Sequence, residues 1–242
     1  MFSLTHNNFA KGNELMPRKK MSSAKCTYCQ QPFAKNVMTK HLANCEARQA
    51  AIAKAQATGK PKEKLYYLRA QDAYGGDFWL DVEMRGTASC KDLDHYLRAI
   101  WLECCGHMSE FSTGGWGTPK VAMTRKIGEV FKPEVELLHY YDFGTTSETK
   151  VKFVAVREGV PTTKHPLVLM ARNLTPEVPC IECEKPATMW CNECLIEDGV
   201  FGTLCDAHAK THPHEDYGEP IPLVNSPRLG MCGYEGPAAP PY

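Results

Sequence analysis

The spacing of apolar and polar positions changes along the chain, and the changes mark its elements. "LYYLRAQ" from Leu65 and "FWLDVEM" from Phe78 alternate as half-buried strands do, with the turn signal "DAYGGD" between them. "SCKDLDHYLRAIWLECC" switches to helical spacing: Leu93, Tyr96, Leu97, Ile100, Trp101 and Cys104 fall on one face. Ser89 stands as its N-cap, with Asp92 three residues on. The glycine-rich "MSEFSTGGWG" predicts loop and strand, "KIGEVF" a short helix and "PEVELLHYYDFG" a strand. "ETKVKFVAVRE" alternates cleanly as a further strand, and "PLVLMARN" adds one more. Two strands, a helix and then mostly strands predict an α+β fold: an antiparallel sheet with packed helices, not a doubly wound one.

On either side of this body the pattern weakens. Thr39 to Ala57 is built of helix formers with a thin apolar side and no breaker before Gly59-Lys60-Pro61, which predicts one helix running from a small finger into a linker. The tail "IPLVNSPRLGMCGYEGPAAPPY" is rich in proline and glycine and predicts irregular structure. The expected organisation is a flexible leader over 1–25, a zinc finger with a basic helical linker over 26–64, the α+β body over 65–173, and a cysteine/histidine module with an irregular tail over 174–242.

Composition narrows the class. Of 242 residues, 43% are apolar and 23% charged, an ordinary globular balance. No run approaches the length of a membrane span, and the first residues carry no apolar signal region, so the expectation is a cytoplasmic chain without a membrane partner. Twelve cysteines in a reducing compartment argue for metal chemistry over disulfides. The net charge of zero conceals an asymmetry: residues 1–64 carry +9 and the remainder −9. A basic head suits DNA or RNA, and the acidic C-terminal module, with 11 Asp/Glu against 3 Lys/Arg over 176–242, suits a protein partner.

The cysteine spacing carries the chemistry. Cys180, Cys183, Cys191, Cys194, Cys205, His208, His212 and His214 offer eight soft ligands. Structural zinc takes four such ligands in a closed tetrahedron, so eight imply two sites with no open position for a substrate. "CDAHAKTH" is expected to be helical, which sets His208 and His212 at i, i+4 and favours one shared metal. That sequential pairing leaves the four knuckle cysteines to the other ion. A cross-braced pairing instead joins Cys180 and Cys183 to Cys205 and His208, and Cys191 and Cys194 to His212 and His214. This second order resembles B-box zinc domains.

In the N-terminal segment, Cys26, Cys29, His41 and Cys45 form C-x2-C-x11-H-x3-C, with Phe33 and Met38 as a minimal apolar core. The set resembles Cys-Cys-His-Cys zinc fingers over 26–45. Three zinc ions are therefore expected in all. Lys35, Asn36 and Lys40, near the finger's helix start, are the candidate nucleic-acid contacts.

The body contains no phosphate-cradling loop, no nucleophile elbow and no zinc-protease motif, and no catalytic or cofactor-binding residue is assigned. "CCGH" (Cys104, Cys105, His107) is the one reactive cluster, with Cys104 expected at the core end of the helix; Cys232, in "GMCGY", could replace a histidine ligand, a free thiol being the simpler expectation. The strand pair, the helix, "HMSEF" from His107 and "YDFG" from Tyr141 resemble the plasmid "open reading frame three" family, whose members include transposable-element passengers. The tail "VNSPRLGMCGY" resembles its zinc-bearing branch. Family members commonly follow "YDFG" with Asp, Trp and His, where Thr145, Ser147 and Thr149 stand here. The resemblance implies an α+β fold and a mobile-element link, but no activity. The function expected is that of a non-enzymatic zinc-binding adaptor or nucleic-acid-associated protein. The alternative is a nucleic-acid-processing enzyme with a site in the α+β body, which would require His107, Asp142 and Glu148 to converge with a basic side chain in one pocket.

Overall fold

The computed structural model describes residues 22–214 and 216–242, so most of the expected leader lies outside the described residues. In chain order the elements are β1 (Ser23–Cys26), β2 (Pro32–Ala34), α1 (Lys35–Asn44), α2 (Glu46–Gln56), β3 (Glu63–Asp72), β4 (Trp79–Arg85) and α3 (Cys90–Leu97). Then come β5 (Ser109–Ser112), β6 (Lys120–Val121), α4 (Ile127–Val130), β7 (Glu136–Tyr141), β8 (Ser147–Gly159) and β9 (Leu167–Asn173). The C-terminal part adds β10 (Met189–Cys191), α5 (Asn192–Glu197), β11 (Gly202–Leu204), α6 (Asp206–Ala209) and β12 (Ile221–Pro222).

The protein is α+β. A nine-stranded sheet runs in the order β2-β1-β9-β4-β3-β8-β7-β5-β6, and a three-stranded sheet, β11-β10-β12, stands apart from it. All the strand pairings are antiparallel. The α3 helix starts with the expected capping box: Ser89 Oγ accepts from the Asp92 amide, and the Asp92 carboxylate accepts from the Ser89 amide. Beyond Leu97 it widens into a π turn, Arg98–Leu102, which buries the consecutive residues Ile100, Trp101 and Leu102 together.

The period-2 alternation of β3 and β4 sends side chains to two covered faces, not one. Leu68, Ala70, Leu80, Val82 and Met84 pack with Leu93, Tyr96, Leu97 and Trp101 on the α3 side. Tyr67 and Trp79 pack on the other side against Met38, Leu42 and Met170. The polar residues of that second face are paired rather than solvated. Arg69 donates to Asp81 through Nε and Nη2 at 2.7 and 2.8 Å. Glu83 accepts from Arg48 of α2 at 2.8 Å and from Arg157 at 2.6 and 2.8 Å. The finger's β1 also pairs directly with β9, Ala24 opposite Asn173, so its hairpin continues the sheet.

The single helix expected over Thr39 to Ala57 is two helices. Cys45 takes extended dihedrals, φ −67° and ψ 112°, ending α1 and beginning α2. The bend turns α2 so that Arg48 reaches both the Leu42 carbonyl and Glu83. Helix propensity favoured continuation; the buried Cys45 and the Arg48 pair outweigh it.

Candidate metal centres

The first centre is assembled from two ends of the finger. Cys26 closes β1, and a tight turn with Gln30 at φ +62° brings Cys29 back beside it. His41 comes from the last turn of α1 and Cys45 from the bend. Cys26 and Cys45 Sγ lie 4.0 Å apart, and Cys29 Sγ lies 3.4 Å from His41 Nε2. Phe33 stacks on the His41 ring at 3.6 Å between centroids and fixes its plane, while Met38 is fully buried beneath. Burial holds His41 below its ordinary value, which favours the neutral, ligating ring.

The C-terminal ligands fall into the cross-braced grouping. Cys180, Cys183, Cys205 and His208 converge in one set, and Cys191, Cys194, His212 and His214 in the other, all ligand atoms of a set within 4.8 Å. In the first, Cys180 and Cys205 Sγ lie 3.3 and 3.6 Å from His208 Nδ1, and Cys183 lies 3.8 Å from Cys205. In the second, Cys194 Sγ is 3.1 Å from His212 Nε2 and 3.3 Å from His214 Nδ1. The helix expected over "CDAHAKTH" stops at Ala209, so His208 and His212 do not share a face. Pro213 disfavours a helical His212, and the chain crosses instead to the second set.

Gly202 explains how the β10–β11 hairpin brings the two sets together. A Cβ there would sit 2.7 Å from Cys194 Cβ and clash with the Cys191 carbonyl. The rings are also oriented from behind. His212 Nδ1 meets Glu182 at 3.2 Å, and His214 Nε2 faces Asp198 at 3.6 Å. A carboxylate behind an imidazole fixes the tautomer that presents the other nitrogen to a metal.

Ligands at about 2.3 Å (sulfur) and about 2.0 Å (nitrogen) from one tetrahedral ion stand roughly 3.5–3.8 Å from each other. The separations above cluster around that range, so the residues fit a metal ion. Burial and the neighbouring Cys191 thiol push Cys194 up to about 12. Burial would also raise Cys180, but the His208 ring and the backbone N–H groups of Cys205, Glu182 and Cys183 outweigh it and bring that thiol down to about 6. A cation between the thiols of a set would favour the thiolate form of each.

A fourth group escaped the reading of spacing. Cys104, Cys105 and His107 meet Cys232, which lies 125 residues beyond His107. Cys104 is half-buried at the end of the α3 core and is a member of this group as well as a packing residue. No local motif announces Cys232, although the glycines around it signal the turn that carries it.

Among the candidate nucleic-acid contacts, Lys35 donates to the Gly76 carbonyl at 2.8 Å and lies over the Trp79 ring, a position that ties it to the body. Asn36 and Lys40 are exposed. The trio considered for catalysis does not converge. His107 and Asp142 approach to 3.5 Å and Arg228 donates to Asp142 at 2.7 Å, but Glu148 is bound by the Tyr74 hydroxyl in a cleft of about 180 Å³. His107 and Asp142 are not among the walls of that cleft.

Fold and site together define an α+β protein with cysteine/histidine clusters able to hold metal ions at both ends of the chain. No protein-family model and no curated protein matches the chain. Among solved structures it is similar to a protein of unknown function from Methanosarcina mazei Go1, at 22% identity and a TM-score of 0.40, over 46% of this chain and 70% of that one. No helix among the described residues is long and apolar enough to cross a membrane.

Proposed function

We propose that the protein is a non-enzymatic adaptor whose end modules are held by structural zinc, and that it binds a protein segment through the acidic C-terminal module. The observation that carries the reading is the completeness of the predicted centres. Each supplies four sulfur and nitrogen ligands, which leaves an ion no open position for a substrate or an activated water. Thiolate with imidazole is the donor set that suits zinc.

The module's outer surface supports a protein partner. Ile196, Val200 and Phe201, on α5 and the loop after it, are 50, 49 and 69% exposed. Glu197 and Asp198 stand exposed among them. Apolar side chains rimmed by carboxylates suit a segment with an apolar stripe and lysine or arginine flanks. The basic N-terminal segment gains less support as a nucleic-acid reader, because Lys35 is engaged by the body and the finger helix buries Met38 and Leu42 there.

The test titrates the intact protein with two labelled peptides that share one apolar stripe and differ only in lysine or glutamate flanks. The lysine form is expected to bind at least tenfold more tightly, Glu197→Gln to narrow the difference, and Phe201→Ser to weaken both peptides. Equal affinity for the two peptides would refute the reading.

A further inference from the structure

We propose that Cys104, Cys105, His107 and Cys232 bind a fourth zinc ion, which fastens the C-terminal tail to the α+β body. The proposal rests on the zinc reading of the other three centres and adds a site that joins parts of the chain far apart in sequence.

The geometry is that of a metal site. Cys105 Sγ lies 3.6 Å from Cys104 Sγ and 3.7 Å from Cys232 Sγ. His107 Nε2 lies 2.9 Å from Cys105 Sγ and 3.3 Å from Cys232 Sγ. The sulfur–sulfur edges match the roughly 3.8 Å expected around one tetrahedral zinc and far exceed the roughly 2.05 Å of a disulfide. All four cysteine and histidine ligand atoms lie within 4.8 Å of one another.

The backbone is shaped to deliver the fourth ligand. Cys232 sits at φ +52°, ψ +38°, a left-handed conformation that a side chain makes costly, between Gly230 and Gly233 at φ +78° and +66°. A residue held there against its preference needs something to hold it, and a metal bond supplies that.

The surroundings complete a second layer of contacts. Arg228 is fully buried, and its guanidinium donates to Cys104 Sγ at 3.4 Å, to Asp142 at 2.7 Å, and to Thr145 O and Ser147 Oγ at 2.9 Å each. Its charge offsets the excess negative charge of three thiolates around one divalent ion, and Asp142 balances it in turn.

The position of the site gives it a role. The acidic module leaves the body after Asn173 and returns at Asn225, whose side-chain amide donates to the Asn173 carbonyl at 2.7 Å. Ser226 Oγ then donates to the Trp101 carbonyl at 2.6 Å. A zinc ion at Cys232 would lock this return. Cys105 and Cys232 are exposed, whereas Cys26, Cys45, Cys180, Cys191, Cys194 and Cys205 are buried, so this ion is the one most open to chelators.

The test measures zinc per chain by mass spectrometry of intact protein from zinc-supplemented cultures, for the wild type and for Cys232→Ser and Cys105→Ser, with circular dichroism to confirm folding. The expected result is four ions in the wild type and one fewer in each variant. Amides of 225–234 should exchange faster in both variants, and those of 180–214 should be unchanged. The same zinc count in the wild type and both variants would overturn the site. The absolute count separately tests the other three centres, so the two readings fail independently.

Discussion

Removing the Glu83 carboxylate should cost more than removing either arginine it binds. Glu83 is 5% exposed and accepts three hydrogen bonds, one from Arg48 and two from Arg157. In Glu83→Ala, Arg157, with a side chain 23% exposed, can turn toward water. Arg48 is 10% exposed, and its other terminal nitrogen stays held on the Leu42 carbonyl, so its charge remains buried and unpaired. Breaking a buried ion pair in this way costs about 3–5 kcal/mol. With one guanidinium able to escape, about 3–4 kcal/mol is expected. In Arg48→Ala the carboxylate keeps both bonds from Arg157 and one charged hydrogen bond is lost, about 1.5–3 kcal/mol. At roughly 2–4 °C per kcal/mol for a chain of this size, Glu83→Ala should melt about 6–16 °C below the wild type. The assay is urea unfolding followed by circular dichroism, with zinc content verified equal in each sample. An Arg48→Ala variant as destabilised as Glu83→Ala would refute the asymmetry. A Glu83→Ala change under about 1 kcal/mol would show that the finger is not anchored by this cluster.

Two further outcomes follow from single sites. Burial would raise Asp94, but the hydrogen bond from His139 Nε2 at 2.7 Å, a further one from Ser109 and the nearby Arg98 charge outweigh it and hold the carboxyl below the ordinary aspartate value of 3.8. A carboxyl depressed on folding contributes stability that is fully present above its unfolded value and is lost as pH falls through its folded one. The wild type should therefore lose its stability advantage over Asp94→Asn as pH drops below about 4, and denaturation curves that stay parallel from pH 6 to pH 3 would contradict this. Gly202→Ala should separate β10 from β11, because the new methyl would press on Cys194 Cβ at 2.7 Å. Loss of about two zinc ions with an intact nine-stranded sheet is expected, and full zinc content would count against the hairpin's role.

What was legible in the chain was local. Ser89 and Asp92 are three residues apart and specify a helix start whatever lies around them. The C-x2-C pairs and their trailing histidines announce ligands for the same reason. What was not legible depends on residues distant in sequence. The β1 strand, "SAKC", has no apolar alternation of its own and becomes a strand by pairing with Arg172 and Asn173. The break at Cys45 lies inside a run of strong helix formers and is explained by the burial of Cys45 and by the Arg48 pair with Glu83 on the sheet beneath. The partnership of Cys232 with His107 spans 125 residues, and no spacing rule reaches that far.

The pairing of β1 with β9 sets an order on the making of this protein. The finger's four ligands lie within twenty residues and can gather around an ion soon after they leave the ribosome. Its place in the sheet is not available until residue 173 has been made, because the strand it borders is the ninth. The Cys104 group waits longer still, for Cys232. The finger's ligands are thus together before its place in the sheet exists, whereas the ligands around Cys232 meet only after the sheet is made. A chain that stopped before Cys232 would be complete in its nine-stranded sheet and would lack the fourth residue of that group.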